Sequence, residues 1–191
     1  ATVDAIVRQA ASQGRPDTPE TRKAIIDQIA LQMVVAAMEP RARGRERTPA
    51  SELAKLRAHP ELIGSAVDEC LRFDGPIVGT VRVLHQAAEF GGRLIPKNAS
   101  VFALLTAANR DPDVFPDPDR FDVARQPNEH LAFGGGAHFC LASHPPKPEG
   151  EIAIGELVRR FDDLRLVSDT VEWGPSLFRV PGRLPITFKA R

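Results

Sequence analysis

The chain has 191 residues, 42% apolar and 26% charged, which allows a sizeable core and excludes a disordered polymer. Lys plus Arg number 25 and Asp plus Glu number 25, and a formal charge of zero excludes the broadly basic footprint of a nucleic-acid-binding protein. Two cysteines are too few for a disulfide scaffold and no apolar run approaches the roughly 20 residues that span a bilayer, so the expectation is a cytoplasmic protein without membrane partners.

Ala1 to Gln9 carries early charges at Asp4 and Arg8 and no signal-peptide core. Ala5, Ile6 and Ala10 form a short apolar stripe that ends at Gly14-Arg15-Pro16. Asp17 and Glu20 then make a capping box, with Pro19 suited to a first helical turn. A helix over Thr18 to Glu39 follows, with Ile25, Ile29, Met33 and Ala37 on one face, and Pro40 stops it. The stretch from Arg41 to Arg47 reads as a charged, solvated connector.

Two helices are expected next, Ser51 to Ala58 and Pro60 to Phe73, the second carrying Leu62, Ile63, Ala66, Val67, Cys70 and Leu71 at helical spacing. Gly75-Pro76 ends it. Strand-like pieces span Ile77 to Leu84 and Glu89 to Ile95, with a turn at Gly91-Gly92. Val101 to Asn109 reads as a helix. A long irregular stretch, Arg110 to His130, is dense in Pro and Asp, and loops of that length normally serve a function. Ile152 to Phe161 is helical, and the last thirty residues read as short strands with turns at Gly174-Pro175 and Pro181-Gly182. No internal repeat or domain linker interrupts the pattern, so one domain over 1–191 is expected.

The most informative segment runs Phe133-Gly134-Gly135-Gly136-Ala137-His138-Phe139-Cys140-Leu141-Ala142. Consecutive glycines let a backbone turn tightly and approach a flat or bulky partner. The thiolate of a following cysteine ligates a soft metal or attacks as a nucleophile. In isolation such a cysteine is more often a small buried hydrophobe.

The context reverses that weighting. The segment resembles the heme-binding loop of cytochrome P-450, the heme-thiolate monooxygenase family, with Phe133, Gly136, His138, Cys140 and Ala142 on its pattern positions. Glu69-Cys70-Leu71-Arg72 matches that family's Glu-x-x-Arg helix motif. Phe115-Pro116-Asp117-Pro118-Asp119-Arg120-Phe121 resembles its meander, and Asn109-Arg110-Asp111-Pro112 falls in order between the two. The resemblance implies a mainly helical fold with a small sheet, reduced to the heme-proximal half, in which the strands over 77–84 and 89–95 join C-terminal strands. It implies heme b (iron protoporphyrin IX) ligated by Cys140, with Phe133, Gly134 and Ala142 shaping the loop. Arg82, His130 and His138 would hold the heme propionates, an arginine fork being the natural partner of a carboxylate. Glu69, Arg72 and Arg120 would form a structural clamp. His59, His85 and His144 carry no such support, and Cys70, between two clamp residues, is expected in the core.

The resemblance covers Ser51 to Arg191, and a complete family member is about twice as long, so most of the distal pocket lacks a counterpart here. Where the family carries an acid–alcohol pair, this chain has Ala30-Leu31-Gln32-Met33-Val34-Val35. Gln32 is the one polar side chain there, able to orient a water but not readily to donate a proton. After the cysteine comes Ser143-His144-Pro145-Pro146-Lys147-Pro148-Glu149-Gly150, which delays the next helix to near Glu149. The expected activity is monooxygenation or peroxide-driven oxidation of a small organic substrate, with a redox partner. The alternatives are a heme-binding sensor, scaffold or non-redox catalyst, and a partial chain that needs a partner. A homodimer through the first forty residues is expected from the exposed heme face and the Ile25–Ala37 stripe.

Overall fold

The structure is a computed structural model that describes residues 49–140, 146–167, 172–173, 181–183 and 185–191. The expected Thr18–Glu39 helix, the Arg41–Arg47 connector, Gln32, Ala142 and the Gly174-Pro175 turn lie outside the described residues.

Helix α1 (Pro49–Ala58) leads through a 3-10 turn (Pro60–Leu62) into α2 (Ile63–Asp74). Ala66, Val67, Cys70 and Phe73 recur at helical spacing along α2 and are buried. Ala66, Val67 and Cys70 share a core with Leu53 and Leu56 of α1 and, from α4 (Pro146–Arg160), Ile154 and Val158. Val67 is fully buried, and a side chain of that size contributes about 1.5–3 kcal/mol by leaving water. This three-helix core presents α2 as its central element, and α2 carries the residues that organise the site.

Strand β1 (Gly79–Val83) follows the Gly75-Pro76 break, and a hairpin of β2 (Ala88–Phe90) and β3 (Arg93–Ile95) turns on Gly91-Gly92. The helix expected over Val101 to Asn109 is instead β4 (Ser100–Leu104) running into the single turn α3 (Leu105–Ala108). Val101, Phe102 and the residues around them suit a pleated strand, and β4 pairs antiparallel with β1, Val81 opposite Phe102 and Arg82 opposite Val101. Pairing across the hairpin overrides the weak helical period there.

The expected single sheet is therefore four two-stranded sheets among the described residues. Strand β5 (Phe161–Leu166) pairs with β8 (Ile186–Ala190), and β6 (Glu172–Trp173) with β7 (Pro181–Arg183). Pro181-Gly182, read as a turn, belongs to β7. Leu164 joins the helical core, and the Phe161 and Phe188 rings meet edge to face at 4.5 Å. Helix α4 also begins earlier than expected, at Pro146 rather than near Glu149. Pro146 and Pro148 fall in the first turn, where backbone N–H groups have no intrahelical acceptor and a proline forfeits nothing.

Candidate functional site

Two constellations flank the irregular stretch between α3 and the cysteine loop. The first is built on α2. Glu69 and Arg72, three apart and with side chains fully buried, form a bidentate pair, Nε to Oε2 at 2.7 Å and a terminal nitrogen to Oε1 at 2.9 Å. Arg72 then donates to the backbone carbonyls of Asn109 (2.8 Å), Pro118 (2.9 Å) and Arg120 (3.2 Å). A buried ion pair persists only when its remaining donors and acceptors are satisfied, and here the irregular stretch supplies them.

The third clamp residue is Arg125, a correction to the expectation for Arg120. Arg125 Nε lies 3.1 Å and 3.2 Å from the two Glu69 oxygens, and its terminal nitrogens bond the carbonyls of Pro116, Asp117 and Arg120. Arg120 contributes its backbone carbonyl, while its guanidinium, 41% exposed, pairs with Asp122 at 2.9 Å. Five positions separate the two arginines, and the meander pattern fits the first while burial selects the second. Glu69 also accepts from the Asp122 N–H at 2.9 Å and from Asn128 Nδ2 at 3.1 Å. Neither Asn128 nor Arg125 announces itself in the sequence beyond lying in the irregular Arg110–His130 stretch.

Asn109 joins this clamp to the second constellation. It is 2% exposed; its carbonyl receives Arg72, and its side-chain Oδ1 accepts the N–H of Leu131 at 2.7 Å. The loop that starts there turns at Gly134 (φ +72°) and Gly136 (φ +62°), left-handed conformations that favour glycine. A short 3-10 turn (Gly136–His138) returns the chain so that the Cys140 N–H donates to the Phe133 carbonyl at 2.8 Å. Phe133 and Phe139 meet edge to face at 6.3 Å, and the His130 ring lies 5.8 Å from that of Phe133.

The structure thus gathers His130, Phe133, Gly134, His138 and Cys140 on one loop. His138 is exposed and Cys140 is a free, half-buried thiol. Cys70, by contrast, is buried in the core, and burial, with the charges of Glu69 and Asp74, pushes its thiol far above the ordinary value. Arg82 sits apart on exposed β1, donating to Thr80 Oγ1 at 2.8 Å and to the Val81 carbonyl at 2.9 Å. On the opposite face of the β1–β4 ribbon Val81, Val83, Phe102 and Leu104 are all about half exposed.

These residues fit a heme. Among the described residues no three His, Cys, Asp or Glu side chains cluster to cage a metal. A metal held through Cys140 must therefore bring its other ligands with it, as porphyrin iron does. A Cβ built at Gly136 meets nothing within 4 Å, which leaves room for a flat partner against the loop, and Leu131 and Phe139 offer exposed apolar surface beside it.

The geometry is thus a buried Glu-x-x-Arg clamp tied through Asn109 to a glycine-turned cysteine loop. The cytochrome P450 family model matches residues 41–171, and the chain belongs to that family. It is 44% identical over 139 residues to the biotin biosynthesis cytochrome P450 of Bacillus subtilis (strain 168), covering 72% of this chain and 35% of that protein. It is 43% identical over 132 residues to the 6-deoxyerythronolide B hydroxylase of Saccharopolyspora erythraea, covering 68% of this chain and 33% of that one. A solved structure of P450BioI with an acyl carrier protein bearing hexadec-9Z-enoic acid superposes with a TM-score of 0.76 at 38% identity, over 86% of this chain and 41% of that chain. The chain spans about a third of the length of the curated relatives it matches.

Proposed function

We propose that this chain is the cysteine-ligating, C-terminal part of a heme-thiolate oxidoreductase, in which Cys140 would hold a b-type heme. The observation that carries the reading is the free, half-buried Cys140 at the end of a loop whose start is pinned to the buried clamp through Asn109. Arg82 and His138 would receive the propionates, while His130, its Nδ1 accepting the Ala132 N–H and its Nε2 facing Asp68, would support the loop from behind. Phe133, Gly134 and Ala142 would complete the loop.

When bound, the heme supplies oxygen or peroxide activation, and a thiolate ligand favours O–O cleavage. The chain's own residues set the conditions. The Cys140 N–H is engaged by the Phe133 carbonyl, which fixes the backbone at Cys140, and the Phe133 and Phe139 rings pack edge to face beside it. The clamp holds the loop's foundation, since Asn109 bonds both Arg72 and the Leu131 N–H.

The proposed reaction class is monooxygenation, or peroxide-driven oxidation, of a small organic substrate. A relative named nocardicin C N-oxygenase and the hydroxylase above support it. The relatives' lengths favour a second reading, in which this stretch binds heme without oxidising a substrate until further polypeptide, a partner or a second copy, covers the other heme face. A redox partner belongs to the first reading. A cytoplasmic location suits both, given the two free thiols and the lack, among the described residues, of any helix long and apolar enough to cross a membrane.

The test is a dithionite-reduced carbon monoxide spectrum of the hemin-supplemented chain. A strongly red-shifted Soret band that Cys140→Ala abolishes and Cys70→Ala retains is the expected result. Equal spectra for wild type and Cys140→Ala would overturn the reading, and a thiolate-type band without peroxide-driven turnover would select the second one.

A further inference from the structure

Asp68 precedes Glu69 on α2 but takes no part in the clamp. Its Oδ2 lies 2.7 Å from Lys147 Nζ, and its Oδ1 3.7 Å from His130 Nε2. His130 lies ten residues before Cys140 and Lys147 seven after it, so one carboxylate meets both flanks of the cysteine loop. The His130 side chain is 8% exposed, and its Nδ1 accepts the Ala132 N–H at 3.2 Å. A ring nitrogen that accepts an N–H carries no proton, so the imidazole proton sits on Nε2, the nitrogen that faces Asp68.

Burial raises the Asp68 carboxyl, but the facing His130 ring and the hydrogen bond and charge of Lys147 outweigh it and leave the group below its ordinary value. Asp68 is therefore an anion at neutral pH. Lys147 offsets its charge, so the cluster presents no net negative charge to an incoming carboxylate. Upstream, the loop is also held by Asn109; on the downstream side the Lys147 pair joins the first turn of α4 to α2.

We infer that Asp68 is a positioning residue for the cysteine loop, fixing its upstream flank through the His130 tautomer and its downstream flank through Lys147. The inference rests on the reading of Cys140 as heme ligand, and its test separates the two. In the heme-free chain, long-range proton–nitrogen spectra should show His130 with its proton on Nε2, and Asp68→Asn should mix the tautomers. In the hemin-loaded chain, loss of hemin to an excess scavenger should accelerate about tenfold or more in Asp68→Asn and about threefold in Lys147→Met. Asp68→Glu should restore most of the retention. Lys147→Met added to Asp68→Asn should change the rate less than about twofold, because the shared carboxylate is already gone.

A wild-type chain that takes up no hemin overturns the heme reading. Hemin-loaded variants with wild-type loss rates and an unchanged His130 tautomer overturn the positioning role alone, as do Asp68 and Lys147 effects that multiply independently. Should Asp68→Asn fail to fold, Lys147→Met still decides, since an unchanged loss rate there overturns the downstream hold.

Discussion

Arg125 reaches Glu69 across 56 residues of sequence, its Nε 3.1 Å from Oε2 and 3.2 Å from Oε1, with 9% of the Arg125 side chain exposed. Removing it strips a buried carboxylate of one cation and takes a donor from the Pro116 and Asp117 carbonyls, while the Arg120 carbonyl keeps Arg72. Arg125→Ala is expected to destabilise the chain by about 3 kcal/mol or more. Arg120→Ala removes a part-exposed pair, and Asp122 keeps Lys55, so it should cost about 1 kcal/mol. Urea titration of both variants checks the order, and equal midpoints would contradict the assignment of Arg125.

Thiol labelling distinguishes the two cysteines without any cofactor. Burial and the neighbouring carboxylates hold the Cys70 thiol protonated, whereas Cys140 is half exposed. One thiol per native chain should alkylate rapidly at pH 8, and Cys140→Ser should abolish that fast phase. A fast phase that survives in Cys140→Ser would place the reactive thiol elsewhere.

Acid sensitivity follows from Asp122. Burial raises its carboxyl, but hydrogen bonds from Lys55 and the Ala124 N–H, with the charges of Lys55 and Arg120, leave it below the ordinary 3.8. A carboxyl depressed in the folded state contributes stability that is present above its unfolded value and is lost as pH falls through the folded one. Stability should thus decline as pH drops below about 4, and Lys55→Met should flatten that decline while lowering stability at pH 7. Chemical denaturation at a series of pH values measures both slopes.

Two glycines should respond differently to alanine. At Gly136, φ is +62° and a Cβ meets nothing within 4 Å, so Gly136→Ala adds strain alone, about 1–2 kcal/mol. At Gly79 a Cβ would lie 2.5 Å from the Ala103 carbonyl oxygen and 2.9 Å from the Phe102 ring, which forces β1 and β4 apart. Gly79→Ala should therefore lower the melting temperature further than Gly136→Ala, while Gly136→Ala should harm hemin retention more.

The helical core was legible because its signals are local. The Leu62, Ile63, Ala66, Val67, Cys70 and Leu71 spacing points to α2, and Gly75-Pro76 ends it. The cysteine loop and the Glu69–Arg72 pair were legible for the same reason, since each is a short run of residues. What misled were features decided at a distance. Val101–Leu104 becomes a strand because β1 lies beside it, and Arg125 displaces Arg120 because burial at Glu69 selects one of two nearby arginines. Asp68 carries no local signal at all; its role exists only where α2, the loop and α4 meet.

The clamp also sets an order of events during synthesis. Glu69 and Arg72 leave the ribosome well before their acceptors and donors, and Asn128, the last of them, follows Glu69 by 59 residues. At roughly 5–20 residues per second, that is about three to twelve seconds in which the Glu69–Arg72 pair of α2 waits for the last of its partners from the rest of the clamp. Its apolar face waits longer still, since Ile154 and Val158 of α4 emerge later. The nascent chain therefore has reason to keep α2 solvated or unformed until the Pro/Asp-rich stretch arrives, and a chaperone that shields Val67 and Phe73 would act in that interval.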